Sequence, residues 1–299
     1  MTAQKHEILA IGHCCVDFIY SVTDFLAGEG KTEAAFFDMQ PGGPAANAIV
    51  AATRLGAKTA FIGQAGDDPH GEFICHAFQA ENVEFICPHS ENNKTRVATC
   101  LVHQQTGARQ VYVNTIAPIS PDPLPFNLIS AFKLLLFDGH ELPFAKIAAQ
   151  HAIKLEIPIV IGAGSLRPGI PDLLPFANTM IISEKFAQSY LPNALPEQVV
   201  QRLHADGTKT AILTLGAQGS IGYDGENIYR IPAVKVNIVD TTGAGDAYLG
   251  AFYFTFLQNW ALPEKMKFAT FVAAEKCKHL GGRRGLPYRT NLKNEFVFK

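Results

Sequence analysis

The 299 residues carry 25 Lys and Arg against 27 Asp and Glu, a net charge of −2, so no basic field exists to attract a polyanion and nucleic acid is excluded as a partner. With 47% hydrophobic and 17% charged residues, the chain can bury a large core and does not have the composition of a disordered polymer. No apolar run approaches the roughly 18 to 20 residues that span a bilayer, which excludes a transmembrane helix.

The polar start, Met1 to Glu7, leads into an apolar run, Ile8 to Ile11, too short for a signal-peptide core, so a cytoplasmic protein is expected. The six cysteines, at 14, 15, 75, 87, 100 and 277, have neither disulfide-scaffold density nor a CxxC pair and fit reduced thiols. Adjacent Cys14 and Cys15 read as small buried residues at a strand end.

Strand-length apolar runs then recur at Ile8 to Ile11, Thr59 to Ile62, Leu134 to Phe137, Ile157 to Ile161, Met180 to Ile182 and Ala211 to Leu213. Between them lie helical stretches over Pro44 to Leu55, His70 to Glu81, Pro143 to Leu155 and Pro196 to His204, and two more close the chain, Gly245 to Trp260 and Pro263 to Leu280. The last is expected to stop at Gly281 and Gly282. Such alternation predicts an α/β protein: a Rossmann-like, mostly parallel sheet with helices on both faces. Two stretches break the pattern. Asp17 to Tyr20 with Glu33 to Met39, and Thr95 to Val102 with Arg109 to Val113, read as a small β lid inserted at about 13–40 and 94–116 into a single domain spanning 1–299.

Asp240-Thr241-Thr242-Gly243-Ala244-Gly245-Asp246 lies between an extended stretch and a long apolar helix. Small residues at 243 to 245 let the backbone approach a ligand, and the unpaired N–H groups of a first helical turn favour an anion. Donors aimed at a transferring phosphoryl group stabilise its spreading charge, and the Asp246 carboxylate there can take a proton from an attacking hydroxyl. A plain helix cap behind a glycine turn accounts for the same residues.

Gly42-Gly43-Pro44-Ala45-Ala46-Asn47 opens a helix with two glycines and sets an amide one turn in, an arrangement suited to a polyol. Asp17, read at the C-terminal end of the first strand, suits paired hydroxyls, and a surface carboxylate is the alternative. Thr214-Leu215-Gly216-Ala217-Gln218-Gly219-Ser220 follows a core strand, and both a phosphate-holding loop and a hairpin turn fit it.

Gly30-Lys31-Thr32 imitates the end of a phosphate-binding P-loop, but Phe25 stands where that motif needs a glycine. The ten histidines contain no HExxH, and no Gly-x-Ser-x-Gly elbow occurs. A nicotinamide-dependent oxidoreductase requires Gly-x-Gly-x-x-Gly after the first strand, which Gly12-His13-Cys14 does not supply.

Together these residues resemble the ribokinase, or PfkB, family of carbohydrate kinases from about Ile8 to Tyr288. Asp240 to Asp246 is similar to the family's C-terminal signature, and Gly42-Gly43 with Asn47 and Ala-Thr-Arg-Leu-Gly56 to its N-terminal one. Gly42 to Gly66 and Ala273 to Pro287 resemble the ketohexokinase and sulfofructose kinase branch.

The resemblance implies ATP and Mg2+, with Asp246 as base and Gly243, Ala244 and Gly245 as anion hole. It implies Asp17, Gly42, Gly43 and Asn47 at the sugar, Thr214, Gly216 and Gly219 toward ATP, and a K+ site at Asp240, Thr242 and the 281–285 loop. Arg109 in the lid hairpin either faces phosphate or is a solvated charge, and Arg283 and Arg284 also read as surface charges. The family's Asn-x-x-Glu is replaced by Ile182-Ser183-Glu184-Lys185, leaving Glu184 or water to help hold magnesium. Asp138-Gly139-His140-Glu141 falls where the sugar's far end is contacted, and the lack of an arginine there argues against an anionic sugar unless the lid supplies one. The function implied is phosphorylation of a ketose such as fructose. A nucleoside or sugar-phosphate kinase and a catalytically silent sugar-binding relative are the alternatives, and lid-to-lid packing is an expected route to a homodimer.

Overall fold

Unbroken apolar tetrads such as Ile8–Ile11 and Leu134–Phe137 have no polar face to give to water, so they need cover on both sides. The computed structural model, which describes residues 6–88, 94–114, 116–119, 126–258 and 260–292, shows how they obtain it. The polar Met1–Lys5 start lies outside the described residues, as do residue 115 of the second lid segment and residue 259 near the end of the helix expected over Gly245 to Trp260.

The first half runs β1 (Ile8–Ile11), β2 (Cys15–Val22), β3 (Phe36–Gly42), α1 (Pro44–Arg54), β4 (Thr59–Ile62), α2 (Pro69–Ala80), β5 (Glu84–Ile86), β6 (Val97–His103) and β7 (Arg109–Val113). Then come β8 (Leu134–Phe137), α3 (Leu142–Lys154), β9 (Ile159–Ala163), α4 (Ile170–Leu173), β10 (Thr179–Ser183), α5 (Glu184–Tyr190) and α6 (Pro196–Ala205). The chain closes with β11 (Thr210–Thr214), β12 (Ser220–Tyr223), β13 (Ile228–Ile231), α7 (Ala244–Phe256) and α8 (Leu262–Cys277).

The main sheet has the order β13-β12-β11-β10-β9-β8-β1-β4-β5. It is parallel except at β12 and β13, with Ile8 opposite both Thr59 and Leu134. Alternation along β1 sends Ile8 and Ala10 into a core shared with α1, α2, α7 and α8, while Leu9 and Ile11 join the core under α3 to α6. The lid is a separate four-stranded sheet, β3-β2-β6-β7.

Three boundaries differ from expectation. The lid strand expected from Asp17 starts two residues earlier, at Cys15, so that Asp17 lies inside β2, paired with Gln40 and Ala98. The strand expected over Ile157 to Ile161 starts two residues later, because Ile157 N–H closes the end of α3 by bonding Ala152 O. The closing helix stops at Cys277, not at Gly281: its last turn tightens as Lys278 N–H bonds Glu275 O and His279 N–H bonds Lys276 O. β5, β12 and β13 were not anticipated, being three or four residues long with little apolar continuity.

One contact positions the site. A Cβ on Gly250 of α7 would stand 2.4 Å from Ala48 O and from Ala51 Cβ, so α7 crosses α1 backbone to backbone with small residues between them. That approach brings the first turns of both helices together.

Candidate active site

α7 begins where the chain leaves the irregular stretch 232–239 at Gly243, whose φ of 77° is the left-handed conformation that glycine adopts at least cost. The turn is tied by Thr242 N–H to Asp240 Oδ1 (2.8 Å) and Ala244 N–H to Thr241 O (3.1 Å). Of the residues expected to donate to an anion, Ala244 is therefore committed to the turn. The N–H groups of Gly245 and Asp246 belong to the first helical turn, ahead of the Ala247 N–H to Gly243 O bond (2.9 Å).

The Asp246 carboxylate accepts from Asn47 Nδ2 at 2.9 Å, and Asn47 is held in turn by Arg283, whose Nε–H donates to Asn47 Oδ1 at 3.0 Å. Burial raises the Asp246 pKa to about 6; the Asn47 hydrogen bond and the Arg283 charge oppose the rise, while Asp17 and Asp138 add to it. Asp246 lines a cavity of about 230 Å³ together with Pro44, Asp138, His140 and Arg167. Asp138 accepts from His13 N–H (2.8 Å) and His140 N–H (3.0 Å), which ties the ends of β1 and β8 together. The rings of His13 and His140 stack 4.4 Å apart, and burial lowers both pKa values, so both imidazoles are neutral near pH 7.

On the other side of the start of α7 is a cavity of about 260 Å³ whose lining is predominantly apolar, including Ala233, Val234, Val236 and Tyr248. Thr214, Gly216 and Gly219, expected to face a nucleotide, all line it. Their segment is the connection between antiparallel β11 and β12, so the hairpin turn is realised, and its residues also line this cavity. Thr214 and Gly245 line both cavities.

Of the residues expected at the sugar, Asp17 is half-buried in the lid, with Cys15 Sγ donating to it at 3.0 Å. Burial raises its pKa, opposed by the Cys15 hydrogen bond and Arg283. Gly42 ends β3 so close to Asp17 that a Cβ would stand 2.0 Å from Oδ2, and Gly43 caps α1 ahead of Asn47. His140 lines the acid-bearing cavity. Arg109 is exposed on β7 and lines neither cavity. Glu184 is also exposed, at the first position of α5 just after Ser183, which does line the acid-bearing cavity.

Two arginines overturn expectations. Arg283 is buried, not a surface charge, while Arg284 pairs with Asp38 at 2.9 Å. An arginine does stand beside Asp138: it is Arg167, delivered by the loop after β9, a residue remote from 138 to 141 in sequence. Arg96 is near as well, but its guanidinium is paired with buried Glu141. No short motif signals Arg167 or Arg283, because their roles arise from loops meeting across the sheet.

Among the described residues no group of three or more His, Cys, Asp or Glu side chains is placed to hold a metal ion. A magnesium ion held by phosphate oxygens and water would need no such group. A monovalent ion at Asp240 fits poorly. The Asp240 carbonyl already receives Lys276 Nζ at 2.7 Å, and the same ammonium lies 3.8 Å from the Asp240 carboxylate.

The sequence matches the pfkB family of carbohydrate kinases over residues 5–289, and the chain belongs to that family. It is 26% identical to a ribokinase of Lactococcus lactis, covering 96% of both chains, and 27% identical to fructokinase-1 of Zea mays, again covering 96% of both. The fold superposes with a TM-score of 0.82 on an Arabidopsis thaliana ribokinase complexed with ribose and ATP, at 20% identity, covering 95% of this chain and 96% of that one. The fold is ribokinase-like, and the protein is a sugar kinase. No helix among the described residues is long and apolar enough to cross a membrane.

Proposed function

We propose that the protein transfers the γ-phosphoryl group of ATP, with magnesium, to a hydroxyl of a small sugar, a ketose such as fructose, in the cytoplasm. The observation that carries this reading is that the two cavities share Thr214 and Gly245, with Asp246 on one side only. A nucleotide base in the apolar cavity directs its phosphates toward the start of α7, and an acceptor in the other cavity meets them beside Asp246. The Asp246 carboxylate takes the proton of the attacking hydroxyl, and a pKa of about 6 leaves it ionised but still basic at neutral pH. The Gly245 and Asp246 N–H groups face the charge that develops on the phosphoryl oxygens, with Gly243 and Ala244 shaping the turn that aims them. Magnesium would supply further charge neutralisation on the phosphates, with Glu184 at the rim beside Ser183 as the carboxylate proposed to help hold it through water. Of the residues expected at the sugar only His140 lines the cavity beside Asp246; Asp17, Gly42, Gly43 and Asn47 do not line it and take part from the side of the lid and the start of α1, where Asn47 holds Asp246.

Arg167 favours a second reading, a sugar that carries an anionic group. Its guanidinium stands by Asp138, and its pKa is lowered by burial while Asp138 opposes that shift. A phosphate or sulfonate at the acceptor's far end would satisfy it. The lid carries the remaining proposal: Phe36, Phe37, Val111, Tyr112 and Val113 are all about half exposed, between 48% and 62%, on the two faces of its outer strands, and a second lid packed on one of those faces gives a homodimer. Sedimentation showing only monomer at micromolar protein would remove it.

The deciding experiment measures ADP release with ATP and Mg2+ over ketoses, aldoses, nucleosides and sugar phosphates, for wild type and Asp246→Asn. The reading expects turnover of fructose or a similar ketose, lost by about a hundred-fold or more in the variant. Preference for a phosphorylated sugar selects the second reading, and background ADP release with every acceptor defeats both.

A further inference from the structure

A lysine in the last turn of a helix ordinarily extends its ammonium into water, yet the Lys276 side chain is completely buried. Its Nζ donates to Asp240 O at 2.7 Å and to His279 O at 3.2 Å, with the Asp240 carboxylate 3.8 Å away. Two carbonyls and a carboxylate from two separate segments thus converge on one positive centre. Such oxygens repel each other unless a cation lies between them.

Everything adjoining that ammonium leads to the start of α7. Asp240 uses one carboxylate oxygen on Thr242 N–H and the other on Gly281 N–H, both at 2.8 Å. Burial works to raise the Asp240 pKa, but these donors and Lys276 outweigh it and hold the carboxyl below its usual value. Gly243 packs against Gly282, where a Cβ would stand 3.0 Å from Gly282 Cα. Gly285 passes so close above the lysine that a Cβ would lie 2.9 Å from Lys276 Cε. The 240–242 turn and the 279–285 loop are therefore closed around the lysine.

We propose that the Lys276 ammonium is a built-in monovalent cation: it braces the 240–242 turn against the 279–285 loop, and so aims the first-turn N–H groups of α7 without an exchangeable ion. An ammonium and a potassium ion carry the same charge and are of similar radius, so one takes the place of the other among oxygen ligands. Lys276 is a positioning residue; it acts through the turn. The proposal rests on the reading that the start of α7 is where phosphoryl transfer occurs.

The test compares initial rates and thermal melting in choline chloride, KCl and NH4Cl at equal ionic strength, for wild type and Lys276→Met. Wild type should turn over at the same rate, within about 1.5-fold, in all three salts, and melt at the same temperature. Lys276→Met should lose at least about ten-fold in choline, recover several-fold of that in potassium or ammonium, and melt higher in those salts than in choline. Wild type activated three-fold or more by potassium overturns the proposal. So does a folded variant that is as active as wild type in choline, or one that no cation rescues in rate or in melting temperature. Should Lys276→Met not fold in any salt, wild-type insensitivity together with folding of Lys276→Arg, which keeps the charge, supports it, and failure of both variants with wild-type salt activation refutes it. If no sugar is turned over, the melting comparison still decides the lysine's role, and only the reading of the reaction fails.

Discussion

The cavity beside Asp246 gathers two carboxylates, an imidazole and a guanidinium, supplied by the loops after β8 and β9 and by the first turn of α7. Its neighbour across Gly245 is lined mainly by alanines, valines and other small or apolar groups from 214–219, 233–238 and one face of α8. In the proposed reaction the first cavity works through desolvated charges that depend on each other, whereas the second offers mainly shape. Disturbing the first should therefore change rates and pH profiles, and disturbing the second should change nucleotide affinity alone.

The largest effect expected is that of Asp246→Asn, which removes the base and costs about a hundred-fold or more in kcat. Stability should move the opposite way. An acid whose pKa rises from 3.8 to about 6 on folding binds its proton more tightly in the folded state, so ionisation above pH 6 destabilises the fold, on the order of 3 kcal/mol. That cost fades as pH falls through 6 and is absent below about 4. The variant should accordingly melt higher than wild type at pH 7.5, with the gap closing toward pH 4.5. A melting temperature below wild type at both pH values would mean that the carboxylate is not held under strain, and the contrast between the cavities would collapse.

That Asp246 was legible in the sequence, and the cause of its raised pKa was not, follows from where each lies. A small-residue turn between an extended stretch and an apolar helix is a local pattern, and so are the glycines before α1 and the apolar tetrads of the main sheet. The six longest helices were each found to within about four residues at either end, because their apolar spacing is continuous, while the short α4 and α5 were not anticipated. Arg283, Arg167 and Lys276 carry no local signal. An arginine between Gly282 and Arg284 reads as a solvated charge, and a lysine in Glu275-Lys276-Cys277-Lys278 reads as one more basic residue near a helix end. Arg283 and Lys276 are buried, and Arg167 half-buried, only because distant segments close over them. Asp17 was read as part of the lid, and it does lie there, inside β2, close enough to Asp246 to help raise its pKa.

Next in size is a change confined to the apolar cavity. Ala273 on α8 lines it and packs partly against the core. Ala273→Phe puts a ring into the space assigned to the nucleotide base and should raise KM for ATP about ten-fold, roughly 1.4 kcal/mol of lost binding. KM for the sugar and the pH profile should stay as in wild type. A shift in sugar KM of the same size would show that the two cavities are coupled and that shape on the nucleotide side also sets the acceptor's geometry.

The smallest expected effect separates charge from packing most sharply. Arg283 is fully buried, its pKa lowered to about 10 by desolvation, and its two terminal nitrogens have no hydrogen-bond partner among the described residues. Only Nε is used, to hold Asn47, while the guanidinium lies 5.4 Å from the Phe78 ring centre. A buried, half-satisfied charge contributes little to stability, so Arg283→Met, which keeps the apolar stem, should melt at or above the wild-type temperature. Catalysis should suffer nonetheless, by several-fold, because Asn47 loses the partner that orients it toward Asp246. The acid limb of kcat/KM should also move: the Arg283 charge holds the Asp246 pKa down, so its removal lifts that pKa above about 6 and carries the limb toward neutral pH. A limb that stays in place, with the rate reduced, would assign Arg283 to the orientation of Asn47 alone; a limb that shifts shows that charges in this cavity are set by one another.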